Sequence, residues 1–267
     1  MLVQSLKKAT MIVLEQPATS IEKIPASAPL QNVDFRKILS QRKRFLTYKR
    51  VLDVCFSLLV IVLIFSWLFP IVALLIKLTS RGPVFFVQKR VGFLGKSFNC
   101  IKFRTMVINR EADTKQATEN DPRITKMGYF LRISNIDELP QFFNVLMGQM
   151  SIVGPRPHMH ADCTNFSKLI SNYKFRTIAK PGITGLAQVK GYRGPVKDDQ
   201  CIFRRFQWDS FYVRNQDYKL EARIIGLTIV STIKTVFEAV SFAFKKEEEQ
   251  KEQGAVSYQL EHSKYLN

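Results

Sequence analysis

The sequence is poor in the residues that build disulfides and transition-metal sites. Its 267 residues include four cysteines and three histidines, and no two cysteines form a C-x-x-C pair. This excludes the common zinc and dithiol redox motifs, and we expect isolated, reduced cysteines. His158 and His160 lie two residues apart, but no neighbouring cysteine or acid completes a ligand set.

Acidic residues are also scarce. Aspartate and glutamate total 22 against 40 lysines and arginines, so the formal net charge is +18. Such an excess favours polyanionic partners, namely nucleic acid, anionic lipid head groups or phosphorylated substrates. The basic residues are spread through apolar motifs and form no known nucleic-acid-binding motif, so we expect no nucleic-acid partner.

Long hydrophobic runs are absent except for one. Residues 54–76 carry no charge, and as a straight helix they would extend about 35 Å, enough for a hydrocarbon core of about 30 Å. Pro70 interrupts the backbone hydrogen bonds of such a helix, and Ser66 one turn earlier can satisfy a freed carbonyl. Basic residues on both flanks favour the cytoplasmic side for both ends. We therefore predict a re-entrant membrane helix at 48–80 with a break near Ser66 and Pro70; the alternative is a kinked single span.

The remaining sequence predicts an α+β fold that is mostly helical. Residues 84–103 read as a β-hairpin with its turn at 92–96, followed by a polar loop at 107–127. Helical patterns cover 129–146 (broken at Pro140), 163–178, 202–212 and 219–244, while 151–157 and 182–194 read as loops. This gives four segments: a polar N-terminal arm (1–47), the membrane helix (48–80), a cytosolic catalytic domain (81–244) and a charged tail (245–267).

The most informative acids are Asp137 and Glu138, which stand side by side after Ser134 and Asn135. If either polar residue caps a helix, both acids lie in its first turn, where exposed N–H groups stabilise negative charge. The simpler interpretation is a pair of helix-start acids without any chemistry.

Three arginines in compact motifs favour a functional interpretation. Arg104, Arg132 and Arg156 each present a planar guanidinium that matches phosphate oxygens in a two-pronged way. Carboxylates beside such arginines can hold Mg²⁺ against a diphosphate or attack phosphorus. For any one of these arginines taken alone, a surface salt bridge is the competing interpretation.

Many short motifs follow one another in a fixed order. They are KRxxD at 49–53, GPV at 82–84, QKRVG at 88–92, KFRTM at 102–106, DPRIT at 121–125, DELPQ at 137–141, NVL at 144–146, VGPRP at 153–157 and KPGITG at 180–185. Together they resemble the bacterial sugar transferase family, the monotopic phosphoglycosyl transferases that prime polysaccharide assembly, over about residues 48–240. The sequence GYRG at 191–194, after Ala187, Gln188 and Val189, is most similar to the glucose- or galactose-priming enzymes of exopolysaccharide and colanic-acid type.

The resemblance implies a re-entrant membrane helix and a catalytic domain on the cytoplasmic side of the bacterial inner membrane. It implies that Asp137 is the nucleophile that attacks the β-phosphorus of a UDP-hexose and releases UMP. Glu138, beside Asp137, would be the Mg²⁺ ligand. Polyprenyl (undecaprenyl) phosphate would then accept the phosphosugar. Relatives permit a homodimer, but no motif here requires one.

The resemblance also assigns roles to basic and polar side chains. Arg132 matches a residue near the lipid phosphate, and Arg156 and Arg193 are candidates for nucleotide or diphosphate contacts. Arg104 and Gln188 complete the set of expected substrate-binding residues. One departure concerns the membrane helix: typical relatives have Ser and Pro adjacent, whereas three residues separate Ser66 from Pro70 here.

Two other functional classes remain open from the sequence. A membrane-tethered protein that binds anionic ligands would use the same positive charge, and a non-catalytic scaffold of a polysaccharide assembly complex would tolerate loss of both acids. No motif in the sequence specifies which sugar would be transferred.

Overall fold

The computed structural model describes residues 42–109, 117–118, 121–194, 196, 198–238 and 241. The predicted tail 245–267, most of the arm 1–47 and part of the loop 107–127 therefore lie outside the described residues. In the described part, one long helix lies along a body of short helices and two small sheets. The prediction of a mostly helical α+β fold is confirmed.

The long helix begins at Lys43 and ends at Thr79. It comprises α1 (Lys43–Val60), a π-helical segment (Ile61–Phe65) and α2 (Ser66–Thr79). In the part of the chain that the structure describes, it is the one helix long and apolar enough to cross a bilayer. The uncharged run at 54–76 accounts for this property.

The two faces of this helix have different environments. One face packs on the body through a stripe that includes Asp53, Ser57, Val60, Val72 and Ile76, all of them buried. The other face exposes large apolar side chains to the surroundings, among them Leu59, Val62, Leu63, Trp67, Ile71 and Leu74. A continuous apolar surface of this size is unfavourable in water and suits lipid.

The long helix has a widened turn close to Ser66 and Pro70, where the sequence predicts a break, and it continues through this turn without interruption. The backbone stays helical at Val60 and at Ser66, and the Ser66 N–H donates to the carbonyl of Ile61, five residues back. The carbonyl of Val62 is thereby freed and accepts the Ser66 hydroxyl at 2.6 Å. Pro70 follows inside α2, so the irregular turn lies just before the predicted position.

Both ends of the long helix are fixed to the same body. At its start, Arg42 donates to the carbonyl of Val213 at 2.9 Å and Lys49 pairs with Glu221. At its end, the Arg104 guanidinium donates to the carbonyl of Ser80 at 2.8 Å. The helix therefore lies along the body and does not project from it.

The hairpin predicted at 84–103 is confirmed. Strands β1 (Phe85–Val91) and β2 (Ser97–Phe103) pair antiparallel, with Phe85 opposite Phe103 and Val91 opposite Ser97. Stacked aromatic rings join this hairpin to the long helix. The ring centroids of Phe65 and Phe69 in the helix lie 5.2 Å apart, and each lies 5.5–6.2 Å from that of Phe85 or Phe103 in the hairpin. The long helix therefore packs on the hairpin through this aromatic layer.

A second, parallel pair of strands was not expected, because 151–157 and 182–194 read as loops. Strand β3 (Ser151–Val153) pairs with β4 (Gly182–Thr184). A Cβ on Gly154 would lie 2.2 Å from the carbonyl oxygen of Lys180, so only glycine allows this approach. Strands of three residues are too short to produce an alternating pattern in the sequence.

Six further α-helices within the described residues complete the fold. They are α3 (Lys126–Ile133), α4 (Gln141–Leu146), α5 (His160–Leu169), α6 (Leu186–Val189), α7 (Asp199–Asn215) and α8 (218–238). The helix predicted at 202–212 is confirmed as α7, and the one predicted at 219–244 is confirmed as α8 up to residue 238. The predicted helix at 129–146 is wrong in one respect: it breaks at Ser134 and Asn135, before Pro140, and continues as a 3-10 turn (Ile136–Glu138).

Candidate active site

The two adjacent acids lie on the 3-10 turn between α3 and α4. Asn135 precedes the turn in the left-handed conformation, with φ 60°, and its carbonyl accepts the Glu138 N–H at 3.1 Å. Both Asp137 and Glu138 lie in the first turn, as predicted, although no side chain caps it. Both acids are buried, with 8% and 4% of their surface exposed, so their charges need local compensation.

Glu138 lies at the centre of three cationic side chains. Its carboxylate is 2.9 Å from Lys102 Nζ, 2.8 Å from an Arg156 guanidinium nitrogen and 3.2 Å from one of Arg193. Burial alone would raise the pKa of Glu138, but the charges of Arg156, Lys102 and Arg193 outweigh it and hold the pKa well below its ordinary value. Glu138 is therefore ionised at neutral pH.

Asp137 has a different environment. Its carboxylate forms no hydrogen bond or ion pair with any residue that the structure describes. Burial raises the pKa of Asp137, the charge of Lys102 opposes this shift and the neighbouring Glu138 adds to it. The two adjacent carboxylates thus have different surroundings, and their pKa values shift in opposite directions.

The surrounding loops fix the cations in place. Arg132 donates through Nε to the Thr105 hydroxyl at 2.8 Å, and its charge opposes the rise in the pKa of Asp137. The main-chain carbonyl of Arg156 accepts from Arg176 at 2.6 Å, and Arg176 pairs with buried Asp209 at 2.7 Å. The loop after β3 is thereby held from behind while the Arg156 side chain reaches Glu138.

Comparison with known proteins agrees with this geometry. The sequence profile described as "Bacterial sugar transferase" matches residues 43–235, which is most of the chain and includes every residue of the acid and cation cluster. The chain belongs to the bacterial sugar transferase family.

Three relatives in this family illustrate the range of the similarity. The UDP-glucose:undecaprenyl-phosphate glucose-1-phosphate transferase of Klebsiella pneumoniae is 45% identical over 185 residues, or 69% of this chain and 40% of that relative. The UDP-N-acetylgalactosamine-undecaprenyl-phosphate N-acetylgalactosaminephosphotransferase of Aeromonas hydrophila is 42% identical over 193 residues, or 72% and 44%. The exopolysaccharide production protein PSS of Rhizobium leguminosarum is 42% identical over 193 residues, or 70% and 96%. The chain thus spans less than half the length of the first two.

Not every predicted site residue of this family member lies in the cluster. The structure brings together Glu138, Arg156 and Arg193, with Asp137 beside Glu138 in the chain, and the charge of Arg132 acts on Asp137. Two other predicted residues, Arg104 and Gln188, have contacts elsewhere.

Arg104 and Gln188 have main-chain partners elsewhere in this family member. Arg104 is buried and donates to the carbonyls of Ser80 and Arg81, just beyond the end of α2. Gln188, in α6, donates to the carbonyl of Ile183 at 3.3 Å. Its side-chain oxygen is buried and finds no hydrogen-bond donor in the described part of the chain.

Sequence reasoning selected Arg104 from the motif KFRTM and missed Lys102. The strand β2 alternates its side chains, so Phe103 packs in the aromatic layer against the membrane helix and Lys102 points to the opposite side. There Lys102 meets Glu138 at 2.9 Å. The alternation of side chains along β2 could have indicated this position, because Lys102 must point away from the apolar face on which Phe103 packs.

The two acids fit a magnesium ion only together with a substrate. Mg²⁺ takes six oxygen ligands in near-octahedral geometry, and the described residues contain no group of three or more acidic, histidine or cysteine side chains suited to a metal. Asp137 offers a buried carboxylate without a partner, and Glu138 lies beside it. The donor set therefore suits a cation shared with the oxygens of a diphosphate and with water.

Proposed function

We propose that the protein transfers hexose-1-phosphate from a UDP-sugar to polyprenyl phosphate and releases UMP. The observation that carries the proposal is the pairing of an unpartnered, buried Asp137 with a Glu138 enclosed by three cations. The names of the relatives from Klebsiella pneumoniae and Aeromonas hydrophila support the same reaction class with two different sugars.

In the first step, a carboxylate oxygen of Asp137 attacks the β-phosphorus of the UDP-sugar. The bond from this phosphorus to the oxygen that bridges the two phosphates breaks, and UMP leaves with the electron pair on that oxygen. The phosphosugar is then bound to Asp137 as an acyl phosphate. A carboxylate that is not engaged by cations is a better nucleophile than one that is, which assigns this role to Asp137.

In the second step, a phosphate oxygen of polyprenyl phosphate attacks the same phosphorus. The carboxylate of Asp137 leaves with its electron pair and is regenerated, and the product is a polyprenyl diphosphosugar. Arg132, whose charge acts on Asp137, would bind the lipid phosphate in this step. Two easier displacements thereby replace a single direct displacement between two anionic phosphates.

The cations around Glu138 supply the electrostatic stabilisation. Lys102, Arg156 and Arg193 converge on one carboxylate, and an incoming diphosphate presents the same negative oxygens to them. Charge that develops on the leaving UMP would be stabilised by these fixed donors. Asp137 and Glu138 would hold Mg²⁺, which when bound neutralises the diphosphate charge.

We further propose that the long helix re-enters the membrane and that the body faces the cytoplasm. Support comes from the attachment of both ends of the helix to one body, from its exposed apolar face and from the basic residues on both flanks.

The test is UMP release by the purified protein in detergent with Mg²⁺, polyprenyl phosphate and a panel of UDP-sugars. We expect one or a few UDP-sugars to give UMP. Asp137→Asn should abolish release, and mass spectrometry of wild-type protein without acceptor should show a phosphosugar on the peptide that contains Asp137. The matched control Asp199→Asn alters an acid at the start of α7, outside the cluster, and should leave release unchanged.

Two results would contradict the proposal, the first its reaction class and the second its covalent route. Folded protein that releases no UMP from any UDP-sugar would favour the tethered anion-binding or scaffold alternatives. Full activity of Asp137→Asn would remove the covalent route while keeping the reaction class.

A further inference from the structure

The turn that carries the two acids begins with an unusual backbone conformation. Among the described residues other than glycine, only Leu94 and Asn135 have a positive φ. Asparagine tolerates this region better than most residues but is not confined to it. The carbonyl of Asn135 accepts the Glu138 N–H at 3.1 Å. The backbone orientation of Asn135 therefore helps to set the direction in which the side chains of Asp137 and Glu138 point.

The side chain of Asn135 is held by a distant helix. It makes no capping bond to its own turn; instead, its amide nitrogen donates to the hydroxyl of Thr232 at 2.9 Å. Thr232 lies in α8 and is 97 residues further along the chain. This is a long-range contact on the residue that directly precedes the turn with the two acids.

The same face of α8 also reaches the second active-site segment. One turn before Thr232, the hydroxyl of Thr228 bonds the hydroxyl of Thr184 at 2.6 Å. Thr184 ends β4, and its carbonyl accepts the N–H of Gly154, two residues before Arg156. Two threonines on one helix face therefore touch the chain segments that carry the acids and Arg156.

Around these contacts, the outer face of α8 is exposed. Ile224 near its start is fully buried, but the side chains that follow on the outer face are exposed, at 53% for Ile229, 64% for Val230 and 64% for Ile233. Thr228 and Thr232 are partly buried, and their hydroxyls bond the segments that carry Arg156 and the two acids.

We propose that Thr232 is a positioning residue for Asp137 and Glu138. Its hydroxyl holds the Asn135 amide, and this bond keeps Asn135 in the left-handed conformation from which Glu138 reaches the cation cluster and Asp137 lies beside it. The assignment rests on the proposed transferase function for its kinetic consequence, and on the geometry alone for its effect on the turn.

The test is Thr232→Val, which removes the hydroxyl and keeps the shape of the side chain. Thr235→Val is the matched control, because within the described residues the Thr235 hydroxyl bonds the carbonyl of Ser231 in its own helix and no other group. We expect kcat for UMP release to fall about tenfold in Thr232→Val, since one bond is lost and the nucleophile is displaced. The KM for the UDP-sugar should change less than twofold, and Thr235→Val should behave as wild type.

A second variant tests whether the two residues act through one bond. Asn135→Gly keeps access to the left-handed conformation and removes the amide. The double variant Asn135→Gly/Thr232→Val should then be no slower than the slower single variant. Multiplying losses in the double variant, or a wild-type kcat for Thr232→Val, would overturn the proposal.

Hydrogen exchange gives a readout that does not need turnover. The amides of Glu138 and Leu139 are bonded within the turn, so they should exchange faster in Thr232→Val than in Thr235→Val. Unchanged exchange there would overturn the proposal. If the wild-type protein releases no UMP from any UDP-sugar, the transferase function fails, and the exchange result alone decides the role of Thr232.

Discussion

At the scale of single residues, the two adjacent acids differ in what surrounds them. Glu138 pairs with three cations, of which Lys102 and Arg156 are mostly buried and Arg193 is one-third exposed, whereas Asp137 has no partner in the described chain and adds its charge beside that of Glu138. Removal of the Glu138 charge should therefore lower the free energy of unfolding, and removal of the Asp137 charge should raise it.

We expect Glu138→Gln to lower the free energy of unfolding by about 3 kcal/mol at pH 7 in the absence of metal, because it leaves buried cations uncompensated. Asp137→Asn should raise it by about 1 kcal/mol, as replacements at strained active sites often do. Chemical denaturation followed by circular dichroism measures both. Equal signs for the two variants would contradict this division of roles.

The effect of Glu138 should depend on pH in a defined direction. Its pKa in the folded protein lies well below the ordinary value of 4.5, so its contribution to stability is complete above pH 4.5 and is lost as the pH falls through the folded-state pKa. The stability difference between wild type and Glu138→Gln should narrow in acid. A difference that grows below pH 4.5 would contradict the lowered pKa.

At the scale of elements, Arg104 connects the hairpin to the end of the membrane helix. Its guanidinium donates to the main-chain carbonyls of Ser80 and Arg81, which follow α2 and have few other donors. Lysine cannot reproduce this two-pronged contact, although it keeps the charge. Arg104 and Arg156 should therefore respond differently to the same substitution.

We expect Arg104→Lys to lower the free energy of unfolding by about 2 kcal/mol, the range for hydrogen bonds from a charged donor, with the KM for the UDP-sugar within twofold of wild type. Arg156→Lys should instead raise KM or lower kcat about tenfold, because the two-pronged contact with phosphate is lost. Steady-state kinetics beside thermal unfolding separates the two. A raised KM in Arg104→Lys would restore Arg104 as a substrate-binding residue.

The elements with strong local patterns could be predicted from the sequence. The uncharged run of the membrane helix, the hairpin with its glycine-containing turn and the amphipathic α8 all follow from periodicity and turn residues. The parallel pair β3 and β4 could not be predicted from the sequence. Each strand is only three residues long, and the two strands are far apart in the sequence. The break at Asn135 was also missed, since a left-handed residue without glycine leaves no clear mark in the sequence.

The site was predictable to the extent that its residues lie in local motifs. Asp137, Glu138 and Arg156 each stand in such a motif, and the structure brings Glu138 and Arg156 to within 2.8 Å. The contacts of Lys102 and Thr232 with this site depend on residues 36 and 97 positions away. Such pairings are set by tertiary packing, which a single sequence does not display.

At the scale of the whole molecule, the attachment of both helix ends to one body predicts a membrane topology. Arg44 and Arg81 are exposed at the two ends of a helix about 55 Å long. In protein that lacks its four native cysteines, Arg44→Cys and Arg81→Cys should both react with an impermeant maleimide in inverted membrane vesicles, and neither should react in intact spheroplasts.

Leu63→Cys, in the exposed apolar face, provides the control and should resist the reagent from both sides, because lipid would cover it. Reaction of Arg44→Cys from one side and of Arg81→Cys from the other would establish a single span and reject re-entry.

The long helix also determines how a reaction partner is found. Because the helix is bound along its length to the body, a bilayer that held the helix would also hold the body at its surface. The acid-bearing turn would then stay at a nearly constant height above the lipid. An acceptor with a phosphate at the membrane surface would meet it by lateral diffusion in a plane, so acceptor density per unit of membrane area, rather than its bulk concentration, would control the encounter rate.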